Sequence, residues 1–359
     1  MKDTIQFPIA ELKSFREQGD PLADKTIQAL FAVGFNPYQN KDYAAYKTNG
    51  QTIPESFPDI LKNYFIQVSG LPVDQELAAK GQAFFGAYGQ SIMLCLGLYS
   101  LPYCYGAAHG AKVLAFSERI LNNPEKRLRE TAEFVLDLHA PHAFKENGKA
   151  IVTIAKVRLI HAAIRYHLLQ GNEWQQEWGY PINQMDMAGT NYSFSLIVNR
   201  GLRKLGYTLS TQQAEDYILF WNQIGRLLGL DEKLMPKSNQ EAFVLEEKIR
   251  KDQFSPSMEG KALTKALMDY IDAQPTPFPL KGSQLSAYLM GEEISRYVGL
   301  QAVADSSILR PLRAMNAIQQ LFDQHKRSFS EIKKALLQQN NEPDTADHGF
   351  QFMMSLVGQ

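Results

Sequence analysis

The chain has 359 residues, which is enough for about two domains of roughly 150 residues each and for a sizeable buried core. Its 37 basic and 38 acidic residues cancel to a net charge of −1, so no polycationic surface predicts a nucleic-acid partner. Two cysteines, Cys95 and Cys104, are too few for a disulfide framework and form no zinc-binding pair. The N-terminus lacks the apolar segment of a signal peptide, which favours a cytoplasmic location.

Apolar residues recur at helical spacing along almost the whole chain, and alternating strand patterns are scarce. The spacing predicts helices near residues 9–18, 22–34, 57–69, 73–88, 91–100, 104–121, 125–139, 148–170, 190–205, 210–229, 239–253, 259–273, 284–298, 308–325 and 329–339. We therefore predict an all-α fold. It divides into an N-terminal helical extension over 1–75, a core over 76–300, and C-terminal helices with a mobile tail over 301–359.

Residues 81–111 contain no Asp, Glu, Lys or Arg. A membrane span needs about 20 mostly apolar residues, but Gln, Ser, Pro and His side chains and six glycines interrupt this stretch. Its continuous apolar run, 92–98, is too short to cross a bilayer. The pattern favours a pair of helices buried inside the protein rather than a membrane span, with room for a bulky group beside their small residues.

Several common enzyme motifs are absent from the sequence. It contains no glycine-rich dinucleotide fingerprint, no P-loop and no H-E-x-x-H zinc motif. Glu-x-x-His pairs, which supply ligands in carboxylate-bridged di-iron bundles, are also missing. A haem held in a crevice between helices is one route to reactivity that needs none of these motifs.

The helix predicted over 148–170 carries charged side chains on the side opposite its expected water-facing seam. At about 100° per residue, Lys149, Lys156 and His167 fall on one narrow seam expected to face water. The opposite side carries Ile151, Ile154, Arg158, His161, Arg165 and Leu168. A buried guanidinium is costly unless it is paired and fully hydrogen-bonded, so these arginines need partners.

Two explanations of this face remain open. In the structural one, each Arg meets a buried Asp or Glu of another helix, and His161 is a satisfied core histidine. In the other, an anionic and mostly apolar ligand such as haem lies against the face. Ile154 and Leu168 would then pack against the ring. His161 would bind the iron, and Arg158 or Arg165 would hold a propionate.

The helix predicted over 125–139 has a second mixed face. Arg127, Thr131 and Phe134 line up on it at helical spacing, at the edge of a buried stripe. Such an Arg is commonly a surface charge, and such a Thr commonly bonds back to a helix carbonyl. Alternatively, both side chains point into one cavity, where they could stabilise a bound oxygen species.

A longer series of short motifs has a recognisable order and spacing over roughly residues 90–240. These motifs are Leu101-Pro102-Tyr103; Gly110-Ala111-Lys112-Val113-Leu114; Arg127-Leu128 with Thr131; Arg158-Leu159-Ile160-His161-Ala162 with Arg165; Asn183-Gln184 through Gly189-Thr190 to Ser193-Phe194-Ser195; and Trp221 with Gly225, Leu228-Gly229 and Met235-Pro236. Together they resemble the haem-dependent oxygenase superfamily that includes latex-clearing proteins (rubber oxygenases) and the membrane-bound oxygenase of mycophenolic acid biosynthesis.

The resemblance implies a globin-like helical core around haem b, with His161 as the proximal iron ligand. It also implies that Arg127 and Thr131 are polar residues near the haem, which rubber oxygenases need for activity. Characterised relatives bind dioxygen at ferrous haem and split a carbon–carbon double bond of an isoprenoid. We therefore expect an oxygenase that uses dioxygen on a hydrophobic, unsaturated, isoprenoid- or lipid-like molecule, with an electron donor that the sequence does not identify.

Some positions depart from the family pattern. Glu130 stands where latex-clearing proteins have a lysine, so the local charge is reversed. The relatives' proposed base glutamate has no evident counterpart; Glu118 and His109 are nearby, and His109 is either a distal base or a plain buried or capping histidine. The segment 183–195 either lines the pocket through Phe194 or caps a helix at Thr190, and we favour the cap.

Two other functions are compatible with the same residues. One is a non-catalytic haem-binding sensor or carrier. The other is a haem-free helical lipid-binding or scaffold protein, in which Arg158 and Arg165 form internal salt bridges. A haem spectrum that is lost on His161→Ala would exclude the haem-free protein. Oxygen consumption would then distinguish the oxygenase from the haem-binding sensor or carrier. The sixth iron ligand is open between Lys47, His109 and no side chain.

Overall fold

The computed structural model describes residues 9–116, 119–274 and 281–301, and in addition positions 310, 313, 314, 316, 317, 329, 330 and 333. Within these residues the only strand-like pairing is one isolated bridge between Ala107 and Phe254. The regular structure is otherwise helical, so the prediction of an all-α fold is confirmed. Apart from the isolated positions, the helices predicted over 308–325 and 329–339 and the predicted tail lie outside the described residues.

Seventeen α-helices lie within the described residues, and most of them are joined by short connecting segments. They are α1 (Ile9–Ser14), α2 (Pro21–Ala32), α3 (Lys41–Ala45), α4 (Asp59–Ser69), α5 (Gln75–Cys95), α6 (Leu101–Cys104), α7 (Ala108–Phe116), α8 (Arg119–Asn122), α9 (Pro124–His139), α10 (Ala150–Gln170), α11 (Gln184–Phe194), α12 (Leu196–Lys204), α13 (Thr211–Leu227), α14 (Asn239–Gln253), α15 (Met258–Asp272), α16 (Gly282–Met290) and α17 (Glu292–Tyr297). A π-helical turn, Leu96–Ser100, joins α5 to α6.

Capping residues explain why several helices begin where the sequence predicts. Asn123 caps α9 by accepting a hydrogen bond from the Lys126 backbone N–H, and a proline occupies the first helical position. Ser210 and Gln213 form a complete capping box at the start of α13. These signals act locally, so sequence alone places the helix starts closely.

Several helix boundaries differ from the prediction, including those within residues 75–104 and 184–204. The break expected between residues 88 and 91 is absent, because α5, the π-helical turn and α6 form one continuous helical segment, Gln75–Cys104. Gly81 of this segment allows close packing, because a Cβ there would lie 2.3 Å from Cγ of Phe220. The helix predicted over 190–205 begins earlier, at Gln184, and is interrupted at Ser195.

The segment Gln75–Cys104 is long and apolar enough to cross a membrane by length and composition alone. In its most apolar 18-residue stretch, 56% is buried inside the protein. Phe85, Ile92 and Cys95 are fully buried there. The core of the protein therefore accounts for much of the uncharged composition of this segment, as predicted.

Helix α10 is buried on nearly all sides between Ala150 and Arg165. It packs against α2, α4, α9 and α13. Because α10 has no continuous water-facing seam, the predicted exposure of Lys156 is wrong. This side chain is only 5% exposed, and its Nζ donates a hydrogen bond to the Tyr43 carbonyl oxygen at 2.5 Å.

The division of the chain at residues 75 and 300 stays a prediction.

Candidate active site

A cavity of about 440 Å³ lies between α7, α9, α10, α11, α13 and α14. This volume falls within the roughly 300–1,000 Å³ usual for small-molecule sites. Most of the wall is apolar, and its apolar side chains include Val113, Leu114, Phe134, Ile160, Ile164 and Phe194. Polar and charged side chains interrupt this wall at several places, and they define the chemistry of the cavity.

His161 reaches this cavity from α10. Its Nδ1 atom is buried and has no hydrogen-bond partner. Burial, together with the positive charges of Arg165 and Arg127, lowers the pKa of the imidazole to about 3. The ring is therefore neutral near pH 7, which is the form that binds metals. The structure does not show the satisfied core histidine of the structural explanation.

Helix α9 presents Arg127, Glu130 and Thr131 to the same cavity. Arg127 Nη1 lies 3.6 Å from Glu130 Oε2, and the Glu130 side chain is only 9% exposed. Thr131 Oγ1 donates a hydrogen bond to the Arg127 carbonyl oxygen at 3.0 Å. Both explanations of this face thus hold in part: the side chains line the cavity, and Thr131 also bonds back to its own helix.

The structure corrects the prediction that Arg158 and Arg165 hold the carboxylates of a ligand. Neither residue lines the cavity. Arg158 binds Asp20 through Nε at 2.5 Å and Nη2 at 2.8 Å, and Arg165 Nε lies 2.7 Å from Asp24 Oδ1. Both arginines thus pair with aspartates at the start of α2, its N-cap Asp20 and Asp24, as the structural explanation stated.

Ile154 and Leu168 also lie away from the cavity, so the prediction that they pack against a ligand ring is wrong. Ile154 is fully buried in the core. The cavity face of α10 instead consists of Val152, Thr153, Lys156, Val157, Ile160, His161 and Ile164. His161 stands at the edge of this face, about 60° around the helix from Arg158 and about 40° from Val157 on the other side. The predicted face extended from His161 in the wrong direction.

His109 does not line the cavity, although Ala107 and Gly110 beside it do. Its Nδ1 accepts a hydrogen bond from Arg16 Nη2 at 2.6 Å. Burial and the Arg16 charge lower the pKa of His109. The prediction of a distal base at this position is therefore corrected: His109 is a hydrogen-bonded, half-buried histidine. Glu118 lies outside the described residues.

The prediction that Thr190 caps a helix is wrong. Helix α11 begins at Gln184, and Asn183 is its N-cap. Thr190 stands in the middle of the helix and is exposed, because it faces the cavity together with Phe194. The Phe194 ring stacks on Trp221 with centroids 4.6 Å apart, which fixes one side of the wall.

Several polar residues of the wall were not predicted from the sequence. They include Lys149 at the N-cap of α10, Lys156 on α10, Asp186 on α11 and Glu246 on α14. Asp186 precedes Thr190 by four residues, so helical spacing identifies it once the start of α11 is known. Among the described residues, no three His, Cys, Asp or Glu side chains converge to hold a metal ion.

Three comparisons relate this chain to known proteins. The sequence model of a family described as "ER-bound oxygenase mpaB/B'/Rubber oxygenase, catalytic domain" matches residues 87–320. The rubber oxygenase of Streptomyces sp. (strain K30) is 27% identical over 289 residues, which are 78% of this chain and 70% of that protein. The solved structure of latex clearing protein LCP in the closed state aligns with a TM-score of 0.73 and 22% sequence identity, over 96% of this chain and 91% of that one. At this identity the structural likeness shows a shared fold.

Proposed function

The chain belongs to the family of ER-bound oxygenases mpaB/B' and rubber oxygenases, and we propose that it is a haem b-dependent oxygenase with His161 as the iron ligand. That it is an oxygenase acting on a hydrophobic substrate follows from the family itself. The observation that carries the haem proposal is a neutral imidazole in the wall of a mostly apolar cavity, with its buried Nδ1 left without a partner.

The residues present fit a haem. A haem iron needs one imidazole from the protein, because the porphyrin supplies four nitrogen ligands itself. Its two propionates need positive charge, which Arg158 and Arg165 do not offer because they are paired with aspartates. Lys149 lines the cavity and is exposed, so it is a candidate for this role, whereas Lys156 Nζ already donates a hydrogen bond to the Tyr43 carbonyl oxygen. The apolar side chains of α7, α9 and α11 suit the hydrophobic ring and substrate.

Bound haem would supply the iron at which dioxygen is activated. The side chains of α9 would provide the electrostatic setting for that chemistry. Arg127 carries hydrogen-bond donors that can act on anionic oxygen atoms in the cavity, and Glu130 holds its guanidinium at 3.6 Å. The hydroxyl hydrogen of Thr131 is committed to the Arg127 carbonyl, so its oxygen is free to accept rather than donate a hydrogen bond.

The substrate we propose is an unsaturated, isoprenoid- or lipid-like molecule. The mostly apolar wall selects substrates by shape and apolar contact. Phe134 and Phe194 present aromatic surface to such a chain. Dioxygen is the second substrate, and an external electron donor would be needed to bring ferric iron to the ferrous state.

An absorption spectrum of the purified protein, before and after dithionite reduction, tests the proposal. We expect a strong Soret band that His161→Ala abolishes or shifts. His167→Ala is the matched control, because His167 lies on the same helix but is exposed, and its spectrum should equal that of the wild type. Oxygen uptake with an unsaturated isoprenoid should accompany the band. A colourless protein that haem cannot reconstitute would exclude the proposal, and haem without oxygen uptake would indicate a sensor or carrier.

A further inference from the structure

Asp186 is a carboxylate in the cavity wall that the proposed reaction does not use. It is the third residue of α11 and belongs to a capping box. Its Oδ2 accepts a hydrogen bond from the Asn183 backbone N–H at 3.2 Å. Its other oxygen, Oδ1, lies beside Gly110, 3.4 Å from the position of a Cβ on that residue. Gly110 also lines the cavity, so the cap engages one carboxylate oxygen and leaves the other at the cavity.

No positively charged side chain of the described residues pairs directly with Asp186. Burial raises the pKa of this carboxyl to about 6. The nearest positive influence is Arg16, which donates its own hydrogen bonds to His109 and to the Trp178 carbonyl oxygen. A buried charge without a partner is costly, and a neutral side chain could serve the cap as well.

Thr190 extends this polar surface along the helix. It follows Asp186 by four residues, so the two side chains lie on the same face of α11. Thr190 is exposed to the cavity, and next to it the Cys104 thiol lies 3.1 Å from Ser193 Oγ. Apolar Met187 and Phe194 flank the pair on the same helix. Asp186 and Thr190 therefore form a polar strip along one face of α11, and the polar residues Asn191 and Ser193 of the same helix also line the cavity.

We propose that the Asp186–Thr190 strip is a subsite for a hydroxyl group on an otherwise apolar substrate. A hydroxyl matches the strip because it donates one hydrogen bond, which the carboxylate accepts, and accepts another, which the Thr190 hydroxyl can donate. A pure hydrocarbon would leave the carboxylate desolvated and unpaired when it fills the cavity. The substrate class is thus an unsaturated apolar alcohol. This inference rests on the proposed function only in taking the cavity as the substrate site.

Calorimetric titration of the full-length protein as purified tests the subsite with two probes. Geraniol is an unsaturated apolar alcohol, and its methyl ether keeps the carbon skeleton and the oxygen but has no hydroxyl hydrogen. Because a hydrogen bond to a charged group is the strong kind, we expect wild-type protein to bind the alcohol about tenfold to a hundredfold more tightly than the ether. Asp186→Leu should reduce this ratio to within about threefold, and Thr190→Val should give an intermediate ratio.

Asn183→Ala is the matched control, because it breaks the same helix cap from the other partner and keeps the carboxylate. It should lower the melting temperature and keep the preference for the alcohol. Equal binding of the two probes by wild type, or a preference that survives Asp186→Leu, would overturn the subsite, as would binding of neither probe. A missing Soret band would instead remove the haem proposal, and the ratio of affinities would still report on the hydroxyl group.

Discussion

Asp20, the N-cap residue of α2, and Arg158 of α10 form a bidentate ion pair in the protein interior. Asp20 Oδ2 lies 2.5 Å from Arg158 Nε, and Asp20 Oδ1 lies 2.8 Å from Arg158 Nη2. Both residues are at least nine-tenths buried, and the Leu227 carbonyl oxygen accepts a further hydrogen bond from Arg158 at 3.2 Å. The pair holds α10 against α2 three residues before His161, so it helps to set the position of the candidate iron ligand.

Removing one partner of this pair should be strongly destabilising. Asp20→Asn leaves a buried guanidinium without its counter-charge, and we expect a loss of roughly 3–5 kcal/mol in the free energy of unfolding. Urea denaturation measures it. The control is Asp269→Asn, which breaks an exposed pair with Lys265 and should stay within about 0.5 kcal/mol of wild type. Similar losses in the two variants would contradict the role assigned to the buried pair.

Gly229 is required beside this pair for two reasons. Its φ is +86°, and a Cβ would lie 2.5 Å from Asp20 Oδ2 and 2.8 Å from Arg158 Cζ. Gly34 has a φ of +71° but open space around it. Gly34→Ala should therefore lower the free energy of unfolding only by the cost of the backbone conformation, about 1–2 kcal/mol. Gly229→Ala should lose more, by thermal or urea unfolding, because the steric clash adds to the same backbone cost. Equal losses would show that the surroundings relax without penalty.

His139 should make the protein less stable in acid. It is buried and stacks on Phe85, and burial lowers its pKa to about 4. Between about pH 6.5 and pH 4 the unfolded chain binds a proton that the folded protein excludes, so the free energy of unfolding falls as the pH falls through this window. The contribution is about 3 kcal/mol in total. Above about pH 6.5 the group contributes no pH dependence.

The variant His139→Phe isolates this effect. Its free energy of unfolding, measured by urea denaturation from pH 7.5 to pH 4.5, should fall less steeply than that of wild type. His142→Asn is the control, because His142 is exposed and has a positive φ that Asn tolerates, and its pH profile should match wild type. An unchanged slope in His139→Phe would assign the acid sensitivity to other groups.

The Arg127–Glu130 pair should set the reduction potential of a bound haem iron. Removing the negative charge by Glu130→Gln leaves Arg127 to stabilise the reduced state, so the midpoint potential should rise by on the order of tens of millivolts. Arg127→Gln should lower it by a similar amount. Spectroelectrochemical titration measures both values. Shifts of the same sign in the two variants would show that packing, rather than charge, controls the potential.

The sequence could place the helices of the site because their signals are local. Asn123 and Pro124 determine the start of α9, and the spacing of Arg127 and Thr131 puts both on one face. The structure places these two residues at the cavity together with His161. The spacing of side chains along α9 thus placed Arg127 and Thr131 on one face before any tertiary contact was known, whereas the family resemblance identified His161.

The rotation of α10 could not be predicted in the same way. A helical-wheel argument needs one side facing water, and α10 is buried on nearly all sides. Lys156 is buried because the Tyr43 carbonyl accepts its hydrogen bond, and Arg158 is buried because Asp20 binds it. Both partners are more than 100 residues away in the chain. Only the tertiary structure shows which polar side chains face a cavity and which face another helix.

The ion pairs made by Asp20 and Asp24 show that a fragment of the chain cannot be chosen from the family match alone. The family match begins at residue 87, whereas Asp20 and Asp24 neutralise two arginines inside the matched segment. A polypeptide that starts at the evolutionary boundary would retain both guanidinium groups and lose both anions. The smallest part of the chain that folds cooperatively is therefore longer than the segment that the family match covers. A fragment that starts at residue 87 should be recovered in the insoluble fraction on expression.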